Sequence, residues 1–421
     1  MIPNTNGGNI GTFRTSTSEF DAKGNVMSLL FGDNFIGQNA LIPVNRYRCA
    51  FTELFKATNI IDATHLSLSA NTLSESCYKS MFEGCSLLIK APKLPVMTLA
   101  KYCYQQMFKN CVVLEKMDKL PAMTLADYCY QNMFEGCTSL ITAPELPADT
   151  LKQYCYQNMF KGCTSLITAP VLPAVTLDNH CYSNMFNNCT SLINAPKLPA
   201  TDLSNSCYNS MFMGCTSLIT PPELPATTLT PSCYDMMFMN CTSLTTPPVL
   251  SAMNLNTHCY AQMFNGCTSL AFVPELPATT LYYRCYSGMF QYCSKLTVPP
   301  VLPSTELAID CYTSMFSGCT SLLTAPELPA MTLANGCYQG MFNNCTSLTT
   351  APELPATTLA EECYSSMFTK CTSLVNVQAI LPATTMYAKC YYSMFNNCTS
   401  LTTAPELPAT TLAEECYSTM F

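Results

Sequence analysis

The stretch Cys129-Tyr130-Gln131-Asn132-Met133-Phe134-Glu135-Gly136-Cys137-Thr138-Ser139-Leu140-Ile141-Thr142-Ala143-Pro144-Glu145-Leu146-Pro147-Ala148-Asp149-Thr150-Leu151 decides the fold, because the chain keeps rewriting it. Its Cys-Tyr pair recurs from Cys77 to Cys416 at steps of 26 residues, save one step of 27. A second cysteine follows eight residues later in thirteen of these repeats, so 27 of the 28 cysteines fall in two columns. Self-similarity at such a period marks an array of supersecondary units, none of which can bury its apolar face alone.

Within a repeat, Cys77, Tyr78, Met81, Phe82 and Cys85 fall inside about 140° of a 3.6-residue wheel, which predicts a short helix with one apolar face. The second part, Ala143-Pro144-Glu145-Leu146-Pro147, carries two prolines three apart. Proline ends helices and removes ladder donors, so this part is expected to be a short extended strand with a polyproline-like turn. The fold class expected is therefore an α/β solenoid. It is a leucine-rich-repeat-like, right-handed curved rod of about thirteen 26-residue repeats, each a short helix plus a short strand.

Composition fits an array and narrows its partners. The 421 residues are 48% hydrophobic but only 11% charged, enough apolar surface for a large core. Nineteen Lys and Arg against 27 Asp and Glu give a net charge of −8, which argues against nucleic acid as a partner. Ser, Thr, Asn and Pro interrupt every apolar run, so no membrane-spanning helix is expected. Residues 1–24, rich in Gly, Asn, Thr and Ser, are expected to be a flexible or attachment segment. Residues 25–72 are expected to form an N-terminal cap on a degenerate repeat, with Leu54-Phe55 in the Met-Phe place and Thr58 for the second cysteine. Residues 73–421 are expected to form the array, with a last repeat that reads as truncated at Met420-Phe421. That pattern leaves open an oligomer formed through the uncapped C-terminal end or the N-terminal segment. The first residues show no basic and then apolar leader, so no signal peptide is expected in this numbering.

Two cysteines eight apart on a helix are about 12 Å apart along its axis, beyond disulfide reach. A regular column also offers each thiol equal claims above and below. The cysteines are expected to be buried free thiols, with no metal or cofactor, since no Cys-x-x-Cys or Cys/His ligand spacing occurs. Asn-Cys-Thr at Asn188, Asn240, Asn344 and Asn397 matches a glycosylation acceptor because the repeat writes it.

The string Met-Phe-x-x-Cys-Thr-Ser-Leu-x-x-Ala-Pro-x-Leu-Pro, as in Met133–Pro147 and Met341–Pro355, resembles the BspA-type leucine-rich repeat of surface proteins from Bacteroides and relatives. The resemblance covers about Cys77 to Phe421. It implies a convex helical side, a concave strand side and a role in adhesion or receptor binding, at the cell surface, outside the cell or on a virion. Similar arrays occur in phage tail proteins. The 26-residue period and the Ala-Pro-x-Leu-Pro segment depart from the shorter family repeat, which bears on the regularity of the concave sheet.

Catalysis finds little in the residues. His65, His180 and His258 are scattered, and the repeated Glu145, Glu223, Glu275, Glu327, Glu353 and Glu406 read as an edge kept soluble rather than an acid/base pair. No enzyme is expected. The position before each Cys-Tyr varies freely where the framework does not, and begins Tyr102, Tyr128, Tyr154, His180. Stacked repeats would align these four as an aromatic stripe about 15 Å long, with Tyr282, Tyr283 and Arg284 as a second cluster. These seven residues are the candidate ligand-binding set, for a surface glycan or a protein. The expected function is noncatalytic recognition or adhesion. Alternatives are a phage tail fibre or receptor-binding component, and a structural spacer or assembly subunit without ligand.

Overall fold

Half of the backbone N–H groups in each Cys-Tyr segment point at the next repeat, and this governs the architecture. A computed structural model describes residues 12–13, 18–41 and 49–421. In it Ser76, Tyr78, Ser80, Phe82 and Gly84 donate to the carbonyls of Lys101, Cys103, Gln105, Met107 and Lys109, at 2.7–3.0 Å. The alternate residues Cys77, Lys79, Met81, Glu83 and Cys85 donate three residues back, to Ser74, Ser76, Tyr78, Ser80 and Phe82, at 3.1–3.4 Å. Every fourth residue has a positive φ: 58° at Ser76, 53° at Ser80 and 72° at Gly84. A left-handed residue at the third place of a four-residue turn is the signature of a type II turn.

The segment expected to be a helix is thus a ribbon of overlapping turns, repeated in both lobes of the chain. An α-helix spends its N–H groups internally, four residues back, and offers a neighbour only side chains. The turn ribbon keeps one donor in two for the neighbouring repeat, so stacking is bonded through the main chain as well as packed. The only α-helix among the described residues is α1, Ser28–Phe31, outside the repeats.

The extended part is also more economical than a strand. The prolines leave single-residue parallel bridges, such as Lys116–Thr142–Thr168–Asn194 and Thr150–Thr176. Between these rows Leu140, Leu146 and Leu151 turn inward, at 0%, 3% and 1% exposure. The core of a repeat is Cys155, Tyr156, Met159, Phe160, Cys163 and Leu166, all at most 1% exposed. Its aromatic members stack in register, Tyr78 through Tyr208 at 5.7–5.8 Å between centroids and Phe82 through Phe212 at 5.5–5.7 Å. Near-parallel offset rings are a favoured arrangement.

All 28 cysteines are free. The second column has a bonding role beyond filling space. Cys163 Sγ donates to the Phe134 carbonyl of the preceding repeat at 3.1 Å, and Cys111, Cys137, Cys189, Cys267 and Cys319 do the same at 3.0–3.1 Å. Burial pushes these thiols up, to about 12 for Cys137.

The chain divides into two compact lobes, Met1–Leu218 and Ile219–Phe421. The first lobe opens with β1, Phe20–Asn25, which pairs in parallel with β2, Ile60–Ser67. Much of the expected attachment segment lies outside the described residues, and Phe20–Gly24 belong to β1. In the degenerate repeat Phe51 and Phe55 stack on Tyr78 and Phe82, both at 5.4 Å, and the Thr58 hydroxyl donates to the Phe55 carbonyl at 2.8 Å. Phe13 continues the phenylalanine column, its ring 5.0 Å from that of Phe55 and its N–H on the Leu54 carbonyl.

Candidate recognition surface

The residue before each Cys-Tyr occupies the first left-handed position of the ribbon. Its φ is 57° at Tyr102, 59° at Tyr128, 56° at Tyr154 and 55° at His180. The next two residues are buried, so this side chain is left half-buried at the surface. One repeat to the next, the same backbone geometry launches the next side chain in parallel. The four rings accordingly stack face to face, each pair 4.7 Å apart and within 18° of parallel. The structure brings together the stripe expected from sequence and adds a fact about it: the ring faces are spent on one another. What the interior of the row presents outward is ring edges and phenol hydroxyls.

The ends of the row differ. The Lys79 ammonium lies 5.9 Å from the Tyr102 centroid, on a cation–π contact. His180 ends the stack, followed one repeat on by Ser206. Burial pushes the His180 imidazole down from its ordinary pKa, favouring the neutral ring. Burial, and then the neighbouring phenols, push the Tyr128 hydroxyl up.

Tyr282, Tyr283 and Arg284 lie in the second lobe as a separate cluster. His258 meets Tyr283 edge-to-face at 5.1 Å, and the Arg284 guanidinium sits 5.1 Å from the Tyr283 centroid. Arg284 Nε donates to Asp310 Oδ2 at 3.1 Å, which ties the guanidinium to the next repeat. Tyr282 and Tyr283 are 43% and 39% exposed. Burial and then the Arg284 charge hold His258 below its ordinary pKa.

His65 stands apart in β2, opposite Lys23. Among the described residues no group of His, Cys, Asp and Glu is placed to hold a metal ion, and no helix is long and apolar enough to cross a membrane. The repeated glutamates are exposed, and Glu327 and Glu353 line a shallow groove with Pro326, Pro329, Pro352 and Pro355. Sequence reasoning missed the rest of that column. Lys93, Val171 and Lys197 stand out between the prolines in the first lobe, Val171 at 80% exposure, and Lys119 takes the same place after Asp118. The signal was present as free variation between two prolines that most repeats keep. It also missed Lys79 and Asp310, whose contacts exist only once repeats stack.

The model of the BspA type leucine-rich repeat region matches residues 52–218, 181–297 and 286–419, in six copies. The chain belongs to that family. A leucine-rich repeat protein from Bacteroides ovatus has a similar structure, with a TM-score of 0.50 and 18% identity over 79% of this chain and 86% of that one. A leucine-rich cell surface protein from Faecalibacterium prausnitzii is similar at a TM-score of 0.38 and 17% identity, over 72% of this chain and 83% of that one. No curated protein matches the sequence. The leucine-rich repeat fold of the family is thus the fold of this chain, with a turn ribbon where a helix was expected.

Proposed function

We propose that this BspA-type repeat protein is a noncatalytic recognition protein, displayed outside the cell or on a virion, that binds a surface glycan or protein through its variable rows. The observation that carries the reading is the row Tyr102, Tyr128, Tyr154, His180. The repeated framework holds four rings at the surface in register. Repeat stacks provide extended binding faces of this kind. Tyr282, Tyr283 and Arg284 support it, since exposed Tyr and Arg dominate binding hot spots.

Binding to a glycan array and to bacterial cells tests the proposal with two triple variants, Tyr102→Ala/Tyr128→Ala/Tyr154→Ala and Tyr282→Ala/Tyr283→Ala/Arg284→Ala. Loss of binding in either supports it. Wild-type binding by both would remove these rows from the account, and a wild-type protein that binds nothing would favour a spacer.

A further inference from the structure

A row of rings stacked on each other can add a further planar partner only at an end, and here one end is covered. Tyr102 faces the Lys79 ammonium at 5.9 Å. At the other end His180 has Tyr154 on one face at 4.7 Å and 5°, and among the described residues no ring or cation lies against its other face. The position that would carry the next ring is Ser206, with a φ of 53° against 55° at His180. The backbone thus continues the row while the side chain stops short by one ring. Where the three preceding steps of the row add a ring, this step adds only a serine side chain, and His180 and Ser206 are both half-buried.

We infer that the face of His180 above Ser206 is a subsite for the C–H face of a neutral sugar ring, which takes the place of the missing aromatic ring. This rests on the recognition reading above and names its ligand class. The chemistry of the rim selects the class. Asn179 and Asn205 flank the two positions, and the Asn205 N–H donates to Asn179 Oδ1 at 3.1 Å, which leaves the Asn179 amide N–H₂ and the exposed Asn205 amide to pair with sugar hydroxyls. Ser206 adds a neutral hydroxyl at the next position of the row. Asp178, whose Oδ1 accepts the Asn179 N–H at 2.7 Å, is the nearest charge in sequence. Residues 178–189 and 202–209 contain no Lys or Arg, and Lys152, in the place of Asp178 one repeat earlier, lies on the Tyr154 side of His180. A neutral imidazole face is apolar, as a C–H face requires, and burial of His180 favours that form. An apolar platform with a few convergent neutral polar groups is how small-ligand sites fix orientation.

The test uses the full chain on an array of neutral and anionic glycans. Ser206→Tyr would supply the absent ring and close the subsite, in a column that already accepts tyrosine at the same φ; His180→Ala removes the platform; Val175→Thr, at an exposed position outside the row, serves as control. Both subsite variants are expected to lower binding of neutral glycans at least tenfold, with Val175→Thr within twofold of wild type. Thermal unfolding checks that Ser206→Tyr is folded, and shifts of the His180 ring resonances on titration with the best glycan give a second, mutation-free readout. Wild-type binding by Ser206→Tyr, or unmoved His180 resonances, would overturn the subsite. If the triple variants above lose binding meanwhile, recognition stands and only this site fails. Binding confined to anionic glycans would overturn the ligand class.

Discussion

Serine in place of cysteine should separate the two thiol columns, although both are fully buried. Cys155 and Cys163 belong to one repeat, and each is 0% exposed. Cys163 Sγ has an acceptor, the Phe134 carbonyl at 3.1 Å, which also takes the Cys137 N–H at 3.0 Å. Cys155 Sγ donates to no carbonyl among the described residues; the backbone groups of Lys152 and Tyr156 that bond it favour the thiolate and so offer a hydroxyl proton no acceptor. A buried hydroxyl without a partner costs about 1–3 kcal/mol, whereas one that meets a waiting acceptor recovers about 0.5–1.5 kcal/mol. Cys163→Ser is therefore expected to cost about 1 kcal/mol or less, and Cys155→Ser about 1–3 kcal/mol more than that. Cys→Ala at both sites gives the baseline for lost volume, and should cost the two sites similarly, because the Phe134 carbonyl keeps its N–H donor. Urea unfolding, compared at a common slope, reads the difference. Equal losses for the two serine variants, or a larger loss at Cys163, would refute the assignment of the second column as carbonyl donors.

Alkali should unfold the protein through the same thiols. Burial raises Cys129, Cys137 and Cys181 from 9.0 to about 12, so the unfolded chain releases protons before the folded one does. Their contribution is complete below pH 9 and is lost as pH rises from 9 toward 12; a melting temperature flat across that window would contradict it. Alkylation at neutral pH should leave the buried thiols of native protein unlabelled, and urea without reductant should expose all 28. Gly318 and Gly162 share a φ near 74°, but a Cβ at Gly318 would lie 2.4 Å from Tyr292 Cδ1, while at Gly162 the nearest atom is 3.8 Å away. Gly162→Ala should cost about 1–2 kcal/mol for the left-handed backbone alone, Gly318→Ala should cost more, and Tyr292→Ala should remove the excess.

Much of this was legible in the sequence, and the misreading has a definite cause. The period fixed the repeats, and beside Leu54-Phe55 and Thr58 the rings of Phe51 and Phe55 stack on Tyr78 and Phe82. The helix was misread because apolar pairs at Cys77-Tyr78, Met81-Phe82 and Cys85 suit a spacing of four residues as well as one of 3.6. The distinguishing signal was the residue before the second cysteine, such as Gly136, Asn188 and Gly214, types that tolerate a left-handed backbone. Tyr102, His258 and Arg284 at equivalent left-handed positions blurred that signal. They do not favour the conformation, and inter-repeat hydrogen bonds impose it. The aromatic row was legible because it needed only register. The closure of its faces was not, since the 4.7 Å spacing follows from backbone hydrogen bonds between repeats.

The central claim is that stacking is bonded main chain to main chain by a turn ribbon, and far-ultraviolet circular dichroism of the folded protein tests it most directly. The account predicts a spectrum without the double minimum of an α-helix, since α1 supplies only 4 helical residues. A strong helical signal from the folded array, lost on unfolding, would contradict it.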